Sequence, residues 1–211
     1  MTENWHQNFK SKNRGALIAA AKELFMEQSF LNVNIKDICS EAGISRVTFY
    51  KNFQSLNELV VEVQVEILED MIDYVKSAAT AGMSGRQMLA AMLGAWVKYA
   101  SEQPGNIKFI VLFDLHFEAY NLSESFKAYY SSIIKRGKEQ HFLMDALKAG
   151  VEDGTLKSNA DSLNTAHFIF TAMMGLLQKM SIVTEEERDS KQDDVMIIDR
   201  FVEMILQHLS S

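Results

Sequence analysis

At 211 residues the chain can bury a substantial core, and 47% hydrophobic with 23% charged residues argues against disorder. One proline, ten glycines and abundant Ala, Leu, Met, Glu and Lys point to an all-α fold, and a single cysteine excludes an intrachain disulfide. No charged-then-apolar leader or apolar run of 18 residues occurs, so neither secretion nor membrane insertion is expected and the cytoplasm is the expected location. The net charge of -7 looks wrong for a nucleic-acid binder until it is divided by region. Residues 1–55 hold seven Lys+Arg against five Asp+Glu, whereas residues 56–211 hold fourteen against twenty-three. A slightly basic head on an acidic body would orient the protein on DNA, with the body repelled from phosphate.

Residues 1–8 lack periodicity and read as a mobile tail. Lys10, Lys12 and Arg14 follow, either reaching phosphates or forming a solvated basic start. A first helix is expected from about Phe9 to Gln28, with Leu17, Ala20, Ala21, Leu24 and Phe25 on one face. Next comes NIKDICSEAGISRVTFYKNF, residues 34–53, which has the spacing of a helix-turn-helix. Asn34 is placed to cap its first helix, Asp37 suits the first turn, and Ile35, Ile38, Cys39 and Ala42 share the inward face. Gly43 supplies the positive φ of a tight turn, and Ser45 can cap the second helix. Ile44, Phe49 and Phe53 then point inward, leaving Arg46, Val47, Tyr50 and Lys51 on an opposite, basic and aromatic face. Arg46 can be bidentate to a guanine, and Lys36 can touch a base edge or a phosphate; a merely solvated face is the competing reading. Cys39, on the packed face, reads as a small buried hydrophobe and not as a redox sensor.

The run from Arg14 to Leu59, through LIAAAKELF, IKDICSEAGIS and TFYKNFQSLNEL, resembles the N-terminal DNA-binding domain of the TetR family of bacterial transcriptional regulators. The resemblance implies an N-terminal three-helix helix-turn-helix domain over residues 1–54. It also implies a C-terminal helical ligand-binding and dimerisation domain over residues 55–211. It puts Val47 against a thymine methyl and Thr48, Tyr50 and Asn52 on phosphates, so the expected DNA-binding set is Lys36, Ser45, Arg46, Val47, Thr48, Tyr50, Lys51 and Asn52. Three positions depart from the family pattern. Ser29 stands where members carry a helix-ending glycine, at an expected cost of a few tenths to about 1 kcal/mol. Val47 replaces glycine or another small residue, and Leu56 replaces a phosphate-binding lysine.

A long helix from Ser55 to about Ala79 carries two apolar stripes, one through Leu59, Val63, Ile67, Met71 and Tyr74 and one through Val61, Val65, Leu68, Ile72 and Val75. Glu58, Glu62, Glu66, Glu69 and Asp73 make its third face acidic, so the helix reads as a lever between two bodies or as a plain core helix. Ser84 with Gln87 has capping-box spacing and opens a helix to about Gln103, which Pro104 and Gly105 end. The next helix, about Asn106–Tyr120, is apolar nearly all round. Asn121 with Glu124 again has capping-box spacing, for a helix running to about Gly150. VEDGTLKSNAD connects it to two strongly apolar helices, about 161–183 and 195–209, separated by the charged loop TEEERDSKQDD. Helices this apolar bury surface beyond their own core. In the resembled family that surface is a four-helix dimer interface, here expected at Phe170, Met173, Leu177, Met180, Ile198, Phe201 and Ile205.

His116, between Asp114 and Glu118, suggests a metal, but helical spacing turns it away from both, and no metal or cofactor is expected. Met71, Met92, Trp96, Phe109, Phe113, His116, Phe117 and Tyr130 either line a cavity for a small-molecule effector or form ordinary core. Asp114 and His141 are further polar candidates for such a cavity. No nucleophile–base pair suggests an enzyme. The expected function is a homodimeric, ligand-responsive repressor, released from a palindromic double-stranded DNA operator by a small apolar or amphipathic molecule. The alternative is a protein-interaction module with weakened DNA binding, which Leu56 and the acidic body favour.

Overall fold

The computed structural model describes residues 2–28, 30–157, 161–182 and 191–211, with side chains outside 2–11 and 191–195. Its described helices are α1 (Thr2–Glu27), α2 (Ile35–Glu41), α3 (Arg46–Tyr50), α4 (Leu56–Ser77), α5 (Gly85–Glu102), α6 (Pro104–His116), α7 (Glu124–Glu139), α8 (Met144–Glu152), α9 (Ser162–Ser181) and α10 (Lys191–Leu209). Short 3₁₀ turns add Phe30–Asn32 and Phe117–Ala119. No described residue belongs to a strand; Leu156 and Ser210 make an isolated β-bridge. The all-α expectation therefore holds. The chain forms two compact units: Met1–Leu68 with Leu112–Tyr130, and Glu69–Val111 with Ser131–Ser211.

In the first unit, Leu17 and Ala21 of α1, Ile38 of α2, Phe49 of α3 and Leu59 of α4 are completely buried. Burying a phenylalanine such as Phe49 contributes about 1.5–3 kcal/mol, so α3, only five residues long, is held by its anchor and not by its own propensity. Two local expectations are corrected. Helix α1 begins at Thr2, where residues 1–8 were expected to be a tail; no glycine or proline interrupts the chain before Gly15, so a helix extends without an apolar stripe to guide it. Arg14 does not face outward: its guanidinium pairs with Glu62 and lies 4.9 Å from the Phe53 ring centroid. The acidic third face of α4 is part buried and part exposed, with Glu69 and Asp73 at the surface. Glu58 and Glu62 are buried, and Lys22 reaches Glu66 at 3.2 Å, so α1 supplies the countercharges. Buried carboxylates persist where they are paired or hydrogen-bonded. The expected cost of Ser29 lies outside the described residues.

In the second unit, α5 and α8 cross at van der Waals contact. A Cβ built on Gly85 would lie 1.8 Å from the Gly150 amide nitrogen, so only glycine permits that approach. Ser84 and Gln87 form the expected capping box. Pro104 sits at the first residue of α6, where its missing N–H costs nothing. The single helix expected from Asn121 to Gly150 is instead two. Ser123, not Asn121, caps α7 by accepting the Phe126 amide at 3.3 Å. The chain then breaks between α7 and α8, where His141 Nδ1 accepts the Leu143 amide at 3.3 Å and competes with the helical pattern. Asp161 caps α9 through the Asn164 amide at 2.9 Å, and α10 starts at Lys191, inside the segment expected to be a loop.

Asp153 ties this unit together. Its carboxylate accepts the Gly85 amide at 2.7 Å, the Thr155 amide at 2.9 Å and the Thr155 hydroxyl at 2.6 Å. The Thr155 hydroxyl, then the Gly85 and Thr155 amides, hold its pKa below the ordinary aspartate value. A depressed folded pKa stabilises the fold above the unfolded pKa of about 3.9, and that stabilisation is lost as pH falls through the folded value. Asp153→Asn is expected to melt below wild type at pH 7, with the gap shrinking as pH falls below about 4. Melting curves at several pH values check this; a gap that does not vary with pH would show that the charge is not what matters.

Candidate functional site

The helix-turn-helix is built from local hydrogen bonds. Asn34 Oδ1 accepts the Lys36 amide at 2.9 Å and the Asp37 amide at 3.2 Å, while Asp37 Oδ2 takes the Asn34 amide at 3.1 Å, a reciprocal capping box. Helix α2 ends in a Schellman motif, with the Ile44 amide on the Cys39 carbonyl at 2.9 Å, the Gly43 amide on the Ser40 carbonyl at 3.3 Å, and Gly43 at φ 64°. Ser45 Oγ then accepts the Thr48 amide at 3.2 Å and starts α3. Local bonds between Asn34 and Thr48 thereby set how α3 follows α2.

That geometry displays Arg46, Val47, Tyr50 and Lys51 to solvent, with Val47 68% and Tyr50 58% exposed. Lys36, Arg46 and Tyr50 converge on one shallow depression, whose rim also includes Asn34, Ile35 and Leu56. Asn34, Ile35 and Leu56 lie outside the expected set. Asn34 was legible only as a cap, and Leu56 only as a departure from the family pattern. Arg46 also acts on Cys39: burial raises the thiol pKa and Arg46 partly opposes this, so the cysteine has a cationic neighbour that comes from the next helix. Thr48 and Asn52 are more committed than expected. The Thr48 and Ser45 hydroxyls are hydrogen-bonded to each other at 3.0 Å, and Asn52 Nδ2 donates to the Thr48 carbonyl at 2.7 Å.

The eight residues expected around an effector are divided between the units. In the second unit Met71, Met92, Trp96 and Phe109 are buried, and the Trp96 indole N–H points to Met71 Sδ at 3.2 Å. In the first, Phe113, Phe117 and Tyr130 form an aromatic cluster with centroid separations of 4.9 to 5.7 Å, and His116 meets the Phe30 ring at 6.2 Å. Burial, then Asp114, raises the Tyr130 hydroxyl pKa. The nearby Tyr120 hydroxyl is buried without a partner among the described residues.

On α9 and α10 the expected interface residues separate into two kinds. Met173, Leu177 and Ile198 are at most 1% exposed and Ile205 is also buried, so their own protomer leaves them no surface for a partner. Phe170, Met180 and Phe201 are half-buried. The outward apolar surface is instead Phe168, Ile182, Met196, Ile197 and Met204, and a groove joins Leu176, Met196, Ile197, Arg200, Phe201 and Met204.

Residues 17–63 match the family model described as bacterial regulatory proteins, tetR family. The solved ketosteroid transcriptional regulator KstR2 of Mycobacterium tuberculosis shares the fold with a TM-score of 0.59 at 17% identity, over 94% of this chain and 95% of that one. Over residues 17–63 the chain therefore carries the helix-turn-helix segment of the bacterial tetR-family regulators. Among sequence relatives, the HTH-type transcriptional repressor KstR2 of Rhodococcus jostii is 26% identical over 152 residues, 72% of each chain. The transcriptional activator FasR of Mycolicibacterium smegmatis is 27% identical over 90 residues, 43% of this chain and 41% of that relative. The TetR-type helix-turn-helix thus contains the exposed face of α3. No described helix is long and apolar enough to cross a membrane.

Proposed function

We propose that the chain is a homodimeric transcriptional repressor that binds a palindromic operator and releases it when a small apolar or amphipathic molecule binds. We assign DNA binding to residues 1–54, and effector binding and dimerisation to residues 55–211. The observation that carries this reading is the capped, solvent-facing α3, on which Arg46, Val47, Tyr50 and Lys51 form one basic and aromatic surface with Lys36 beside it. Repression is favoured over activation because similarity to the repressor covers 72% of both chains, whereas similarity to the activator covers 41% of that protein.

A two-fold dimer reads a palindrome when its recognition helices enter successive major grooves, about 34 Å apart. A molecule that binds better to a dimer with mis-spaced helices releases DNA by that difference in affinity alone. Linkage then requires operator DNA to weaken the effector by the same factor. Selection of bound DNA from a random pool supplies the operator, and calorimetric titration of an effector with and without it supplies the factor. Weaker effector binding on the complex is expected. Equal affinities would mean that the molecule is no inducer, and tighter binding would make it a corepressor.

A further inference from the structure

His141 stands at the break between α7 and α8 and is 6% exposed. Its Nδ1 accepts the Leu143 amide at 3.3 Å, so the ring proton belongs on Nε2, and Nε2 has no partner among the described residues. Burial, then His167, pulls its pKa down to about 4, which keeps the ring neutral and Nε2 a donor at pH 7. Nearby His167 is already occupied, with Nε2 donating to the Lys138 carbonyl at 2.9 Å. A buried N–H without an acceptor is uncommon in folded proteins and calls for a function.

The surroundings indicate what the acceptor is attached to. His141 stacks on Phe142 with centroids 4.8 Å apart and meets the edge of Phe170 at 5.5 Å. Trp96 closes the same cluster, 5.4 Å from Phe142 and 5.4 Å from Phe170. Among the described residues its indole N–H meets the Met71 sulfur alone, a weak acceptor on a flexible side chain that can move aside. Two under-used donors therefore sit among aromatic rings, of which Phe142 and Phe170 are half-buried. No carboxylate, lysine or arginine takes part in these contacts, so the cluster suits an uncharged acceptor better than an ion.

We propose that this cluster is the effector site, where His141 Nε2–H donates to a carbonyl oxygen of an uncharged, ring-bearing molecule held by Trp96, Phe142 and Phe170. This deepens the effector-controlled reading above and rests on it. The probe is 2-acetylnaphthalene, compared with 2-isopropenylnaphthalene, which has the same shape with CH₂ in place of the oxygen. Calorimetry on the full chain is expected to show the ketone binding about tenfold more tightly. His141→Phe should bring that ratio near one while leaving the hydrocarbon's affinity in place. Should the variant not fold, the wild-type ratio and a ketone-induced shift of the His141 Nε2 resonance decide instead. Equal wild-type affinities, no ketone binding up to its solubility limit, or a ratio that survives in folded His141→Phe would each overturn the assignment. DNA release is scored separately. A His141-dependent ketone preference without any effect on selected DNA keeps the site and removes the effector-controlled reading, whereas release by a compound indifferent to His141→Phe does the reverse.

Discussion

A Phe201→Glu or Met204→Glu protein is expected to sediment as a folded monomer and to lose specific DNA binding. On α10, Met196, Arg200 and Met204 recur at i, i+4 and i+8, with Ile197 and Phe201 beside them, and Leu176 of α9 completes the groove. Met196, Ile197 and Met204 are more than half exposed in the single chain, a surface that a second copy is placed to cover. A glutamate there must shed its hydration or hold the two copies apart, and separation is the cheaper result because stripping water from a lone charge costs several kcal/mol. A lone head keeps only phosphate attraction, so affinity should fall from the specific range of about 10⁻⁸–10⁻¹¹ M towards the non-specific 10⁻⁴–10⁻⁶ M. Leu177→Glu is the control with the opposite signature: Leu177 is 1% exposed inside its own protomer, so that variant should lower the melting temperature and not yield a folded monomer. Sedimentation and DNA titration at micromolar protein test the pair. A folded Phe201→Glu that remains dimeric would remove α10 from the interface.

The contrast between Phe201 and Leu177 shows where sequence reasoning stopped. Helices α9 and α10 are apolar on more than one face, so helical periodicity identifies them as doubly buried without saying which face meets the protomer's own core. The helix-turn-helix was legible because what defines it is local: Asn34 with Asp37, Gly43 with its positive φ, and Ser45 with Thr48 all act within four residues. The burial and pairing of Glu62 were not legible because its partner, Arg14, lies 48 positions away in sequence. The α7–α8 break failed for the opposite reason. It is local, but His141 carries no general signal for a break; the residue becomes one only when burial makes its Nδ1 a needed acceptor. The expected effector residues were chosen as one set of large side chains and fall into two clusters, because aromatic content does not reveal which unit a residue joins.

Arg46→Ala should cost about 1–3 kcal/mol of operator affinity in each half-site and relax the preference at one base pair there. Arg46 opens α3, is exposed, and shares its depression with Lys36 and Tyr50, so truncation removes little packing and the melting temperature should not move. Among the described residues no salt bridge anchors the side chain, and its charge partly opposes the upward shift that burial imposes on the Cys39 thiol pKa. Alkylation of Cys39 should therefore require a higher pH in the variant, which reports the lost charge independently of DNA. The competing role for Arg46 is a phosphate contact, and salt separates the two. A base-reading arginine changes which sequences are selected, whereas a phosphate contact weakens all sequences alike and lowers the slope of log affinity against log salt by about one per half-site. Lys51→Ala, on the same exposed face, is expected to show the second pattern, and Tyr50→Phe a uniform weakening without the change in slope. Selection from a random DNA pool with wild type and Arg46→Ala decides the matter: an unchanged consensus with a reduced salt slope would move Arg46 to the phosphate backbone and leave Lys36 as the remaining candidate for reading a base.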